Sequence, residues 1–164
     1  MPDTYGIGCK DIQIGDIGIG GTMGSTLASV GKIYKDTVNL IEDEGNVTNH
    51  FQENARYPFL NVFDAGPTRL KFTLIDVSAD NLAEWLGGEA ATDVWSSPTS
   101  NFSQEKSVEV QTVKGWNIQV ARCMLYGKIT WNLSRTEIAK IEITGEIMVP
   151  EDASTPPIKT LPAA

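Results

Sequence analysis

The chain has 164 residues, 41% hydrophobic and 21% charged, with a formal net charge of −8. This length suits one domain with a real core, and the composition excludes wholesale disorder. The acidic balance argues against binding DNA through its phosphates, which takes clustered Lys and Arg; an acidic wall would instead let DNA slide past.

Residues 1–25 are glycine-dense, with Gly6, Gly8, Gly15, Gly18, Gly20, Gly21 and Gly24. Each glycine loses much backbone entropy on ordering, so this stretch reads as an extended N-terminal arm. One short alternating piece, Asp11-Ile12-Gln13-Ile14, could be a strand. The start of the chain shows no basic region followed by an apolar one, so no secretory signal is expected. No apolar run approaches the roughly 20 residues of a membrane helix. A cytoplasmic site of synthesis follows as an expectation.

The main domain is expected over 26–150. Residues 26–42 alternate with a period near two, Tyr34, Val38 and Leu40 against Lys35, Thr37 and Asn39. Glu42-Asp43-Glu44-Gly45-Asn46 reads as an acidic loop tip, and 47–54 as its returning limb. Together they predict a long hairpin at 40–58 closed by Pro58. Residues 59–63 form a short apolar strand, and Asp64-Ala65-Gly66-Pro67 is a turn signal. Residues 69–77 are the clearest strand, with Leu70, Phe72 and Leu74 on one face. Ser78 is placed to cap a helix over 79–86, where Leu82, Trp85 and Leu86 share a face and Gly87-Gly88 stops it. Residues 89–104 read as a polar loop.

The last third predicts a meander. Strands are expected at 107–113, 116–121, 123–131 and 137–149, with turns at Lys114-Gly115 and 132–135. Pro150 ends the last strand, and 151–164 reads as an irregular tail. With about seven to nine amphipathic strands and one short helix, the expected class is mainly β, a β-sandwich or barrel-like domain with extended N- and C-terminal arms.

Chemistry-bearing residues are sparse. His50 is the sole histidine, and no G-x-S-x-G elbow accompanies it; a solvated loop residue is the better reading, with a small hydrolase as a remote rival. Cys9 and Cys123 are far apart and lack zinc-ligand spacing, so two reduced thiols are expected. The run Gly18-Ile19-Gly20-Gly21-Thr22-Met23-Gly24 has Met23 where a dinucleotide fingerprint needs glycine, and a strand pattern follows it. Glu42, Asp43 and Glu44 are consecutive rather than set across a cleft, unlike glycosidase carboxylates. Sequons at Asn46, Asn101 and Asn132 read as chance matches without a secretory signal. Trp85 and Trp116 fall in apolar phase and suggest core, whereas Trp95 with Trp131 could form a sugar-binding platform. No catalytic residue, metal or cofactor is expected.

Three blocks stand in order: Val30-Gly31-Lys32-Ile33-Tyr34-Lys35-Asp36-Thr37-Val38 before the acidic turn; Val47-Thr48-Asn49-His50-Phe51 with Tyr57-Pro58; and Leu70-Lys71-Phe72-Thr73-Leu74-Ile75-Asp76-Val77 leading into Asn81-Leu82-Ala83-Glu84-Trp85-Leu86-Gly87-Gly88. In this order and spacing they resemble phage major tail tube proteins. Val149-Pro150 and a Pro-rich tail close the pattern, so the resemblance spans 30–150; the glycine-dense arm departs from it. The resemblance implies a virion tail protein whose hexameric rings stack into a DNA conduit, beside tape measure and terminator proteins. Related tubes occur in contractile tails, type VI secretion systems and extracellular injection machines. Under that reading Asp43, Glu44, Asn46 and His50 lie in a hairpin that touches a neighbour. The polar strand faces Glu109, Gln111, Asn117 and Gln119 are lumen candidates. The rival of another class is a β-sandwich module binding carbohydrate or a receptor.

Overall fold

The computed structural model describes residues 5–163; the first four residues of the expected arm and the last of the expected tail lie outside them. Strand makes up 49% and helix 7%, so the class is mainly β, with one α-helix and antiparallel sheets in a sandwich- or barrel-like arrangement. In chain order the strands are β1 (Ile7–Gly15), β2 (Ala28–Ser29), β3 (Asn39–Glu42), β4 (Asn46–His50), β5 (Leu60–Asp64) and β6 (Thr68–Leu74). Helix α1 (Ala79–Leu86) follows, then β7 (Glu89–Ala91), β8 (Val94–Ser96), β9 (Gln104–Lys114), β10 (Trp116–Thr130), β11 (Lys140–Ile147) and β12 (Ile158–Pro162). Eight of them form one sheet in the order β2-β1-β9-β10-β11-β6-β3, with β12 also paired to β10.

The long strand β10 organises this sheet. Its first half lies between β9 and β12, and its second half between β9 and β11. Between the halves its register against β9 shifts by one, so Ala121 and Arg122 together oppose Ser107. This β-bulge bends the strand and switches which side chains point inward. Val120 is buried before it, and Cys123 and Leu125 after it. The sequence pattern shows the same break as two separate strands, 116–121 and 123–131; the backbone runs through it as one.

Ser107 is the buried polar side chain among the described residues. Its hydroxyl donates to the Ala121 carbonyl at 2.6 Å and accepts the Gly24 N–H at 2.8 Å. Both bulge and glycine segment thus depend on one side chain. Ser107→Ala is expected to lower stability by about 1–3 kcal/mol, because it strands the buried Ala121 carbonyl and the half-buried Gly24 N–H. Chemical denaturation would show this as a lower midpoint with an unchanged slope.

The sheet curls so that its two ends approach. Val30 donates to Ile12 of β1, and three residues later Ile33 bridges to Leu74 of β6. Tyr34 N–H then bonds Thr73. Residues 30–34 therefore tie one sheet edge to the other, which is why the core is enclosed. Ile12, Val108, Val120, Leu125, Ile141, Ile143, Leu70, Phe72 and Leu74 fill it. Helix α1 plugs the end, with the Trp85 ring edge-on to Phe72 at 5.9 Å. Gly127 makes room for the helix: a Cβ there would stand 2.8 Å from the Trp85 carbonyl oxygen.

Several expectations need correction. The glycine-rich stretch is no mere arm: β1 spans nine residues between β2 and β9, with Ile12 and Ile14 in the core. Burying those two isoleucines against β9 offsets the entropy of the flanking glycines. Residues 26–42 are not one strand, because Gly31 (φ 98°) and Asp36 (φ 60°) turn the chain out of extended conformation. The 89–104 loop contains the β7–β8 hairpin. The tail is not irregular throughout, since β12 pairs with the first half of β10 from Trp116 to Val120. Ser78 occupies the start of α1, but its side chain makes no cap bond; Asp76 instead accepts the Ser78 N–H.

Candidate interaction surface

The expected hairpin at 40–58, with its turn at 42–46, is paired differently. β3 pairs with β6, Glu42 opposite Thr68, and β4 pairs with β5, Asn46 opposite Asp64. Asp43 N–H to Pro67 carbonyl, at 2.9 Å, bridges the gap in the same register. The limbs are thus 39–50 and 60–74, and residues 51–59 form the tip. The short apolar strand at 59–63 is the returning limb, whereas 47–54 is the outgoing one. The acidic triplet therefore lies partway along the arm, not at its end.

At the joint Asp43 pairs with Arg69 of β6. Gly45 and Gly66 stand here because the limbs leave no space: a Cβ on Gly45 would meet the Phe63 ring at 2.5 Å. Glu44, Asn46 and His50 are exposed, and His50 ends β4 opposite Leu60. So Asn46 and His50 belong to the projecting hairpin, while Asp43 and Glu44 sit at its base.

Every residue of β4 and β5 is exposed. Yet the arm carries Val47, Phe51, Tyr57, Phe59, Leu60, Val62 and Phe63 at the surface, with Tyr57 at 73% and Phe59 at 71% exposure. A lone two-stranded hairpin is marginal in water, and contiguous exposed apolar residues mark contact sites. These apolar residues are what the sequence reading missed. Their alternation was visible; that no second layer covers them was not.

The four polar strand residues come together. Glu109 faces Gln119 across the β9–β10 ladder, and Gln119 donates to the Glu109 carboxylate at 2.7 Å. Gln111 donates to its other oxygen at 3.2 Å. Asn117 accepts the Thr112 N–H at 3.0 Å. Gln13 of β1 extends this row beyond Glu109, and Lys159 of β12 extends it beyond Gln119. The result is a polar band four strands wide on the outer face. Gln13 and Lys159 escaped the sequence reading because both lie in stretches read as arm and tail.

The remaining candidates are dispersed. Trp95 packs on the core edge, and its indole N–H donates to the Gly87 carbonyl at 2.9 Å, whereas Trp131 is exposed. Among the described residues no group of three or more His, Cys, Asp or Glu is placed to hold a metal. No described helix is long and apolar enough to cross a membrane. Cys123 is buried, and desolvation with the nearby Glu146 carboxylate pushes its thiol up to about 12. Partial desolvation and Asp11 also push the exposed Cys9 thiol up. A native thiol titration at neutral pH is therefore expected to count Cys9, slowly, and Cys123 only after denaturant; two equally fast thiols would contradict this burial.

No known protein family and no curated protein matches the chain.

Proposed function

We propose that this chain is a non-enzymatic, self-assembling structural subunit, the tube protein of a phage tail. The observation that carries the reading is the β4–β5 hairpin, which has strand pairing and seven large apolar residues that no described part of its own chain covers. Such an arm has its natural cover on another copy. The order of motifs around 30–88 supplies the step from self-assembly to a tail tube, with hexameric rings stacked around a DNA channel.

The polar band of Gln13, Glu109, Gln119 and Lys159 supports turning that face toward the channel. It offers hydrogen-bonding groups and mixed charge rather than a basic surface, so passing DNA would find no run of phosphate contacts. Tape measure and terminator proteins are the further partners this reading implies. The same features would suit the tube of a related injection machine.

The test is electron microscopy and sedimentation of the purified chain over a wide concentration range. Rings or tubes of constant width are expected. A monomer under all conditions would overturn the proposal.

A further inference from the structure

Where the hairpin leaves the domain, the barrel is open. An 870 Å³ hollow lies between β1, β9 and β10 on one side and β3, β6 and residues 31–38 on the other. Its floor and walls include Ile33, Leu40, Leu70, Val110, Trp116 and Ile118. Lys10, Lys35 and Asp36 stand at its rim, all exposed. Pockets that bury a ligand run to roughly 300–1,000 Å³, so the space admits more than one aromatic side chain.

The same chain holds a matching part. The hairpin tip presents Phe51, Tyr57 and Phe59. Glu53 and Arg56 lie between them, and the Arg56 guanidinium rests 5.6 Å from the Tyr57 ring centre. An apolar tip with one carboxylate and one guanidinium is thus complementary to an apolar hollow rimmed by two ammonium groups and one carboxylate. The tip cannot fill its own hollow: from Leu40 at the wall to Phe51 the limb runs outward by roughly 35 Å of strand, at about 3.3 Å per residue.

We propose that the hairpin tip of one copy seats in the barrel mouth of a second copy, with Tyr57 and Phe59 in the hollow, Glu53 toward Lys10 and Lys35, and Arg56 toward Asp36. Each copy gives one tip and one mouth, so the contact is head-to-tail and continues around a ring or along a filament rather than ending at a dimer. This rests on the reading of the chain as self-assembling, and it assigns the receiving surface.

Native Cys9 lines the mouth and serves as the probe. Heavy-isotope-labelled Ala55→Cys/Cys9→Ser protein is mixed with unlabelled wild type and treated with a short bismaleimide at mildly alkaline pH. The expected product joins the introduced thiol of a heavy chain to Cys9 of a light one, a link that only two different copies can make. Adding Tyr57→Ser and Phe59→Ser to the heavy chain should lower its yield several-fold. Lys35→Glu in the light chain should lower it likewise, with recovery on adding Glu53→Lys to the heavy chain. Particles that form without this link, or with hairpin-to-hairpin links alone, overturn the proposed mouth and leave self-assembly standing. No link and no particles at any concentration overturn both.

Discussion

Replacing residues 46–64 by a short Gly-Ser turn should leave a folded protomer that no longer assembles. β4 and β5 pair only with each other, and no buried core residue lies between Val30 and Leu70 in the chain. The β3–β6 ladder still closes at the Asp43–Pro67 bond. Surface changes away from core features shift stability by only about 0.5 kcal/mol, so the thermal midpoint should move by a few degrees at most. Assembly, followed by sedimentation velocity, should vanish entirely. Loss of the native circular dichroism spectrum would show instead that the arm supports its own domain, and unchanged particles would remove it from the contact.

Trp85→Ala should produce the largest loss of stability from one substitution, about 3–5 kcal/mol out of a total of about 5–15. Trp85 is 1% exposed and joins α1 to the sheet through Phe72. Removing the ring leaves a cavity under a helix of only eight residues, too short to persist undocked. Trp85→Phe should cost much less. Its smaller ring keeps the edge-on contact, and it deletes an indole N–H that is buried without a hydrogen-bond partner among the described residues. Denaturant midpoints for the two variants decide this, and equal losses would mean that the helix is not held by the ring.

The helix was the element most legible in the sequence. Its expected span of 79–86 is its observed one, since the apolar face and the Gly87-Gly88 stop are local signals that tertiary packing only reinforces. Strand β6 and the β9–β10 meander were legible for a similar reason, as alternation with a buried face is a strong period-two signal. Pairing was harder. Nothing local says that Val47 faces Phe63 rather than the residues of β3, because both readings satisfy the same alternation. Strand β12 was missed and β1 was read only as a possible short strand at 11–14, because glycine and proline dominate their surroundings, while their partners lie about forty and about a hundred residues away along the chain. The polar band followed the same rule. That Glu109, Gln111, Asn117 and Gln119 share a face was legible from phase within neighbouring strands, whereas Gln13 and Lys159 join them only through long-range pairing.

The single extra residue in β10 also governs how this chain can change length over evolutionary time. Residues can be gained or lost at 52–56, beyond the last pair of the hairpin ladder, without disturbing any buried side chain. Loss of either Ala121 or Arg122 would remove the bulge and its bend but leave Cys123 opposite Lys106 and facing inward. Loss of one residue beside the bulge, among 123–129 where β10 pairs residue for residue with β11, would instead turn the rest of the strand over. Insertions and deletions in chains that share this fold should therefore gather at the arm's tip, and a residue lost from β10 should be lost at the bend and not beside it, so that the reach toward a neighbour can drift while the core faces keep their phase.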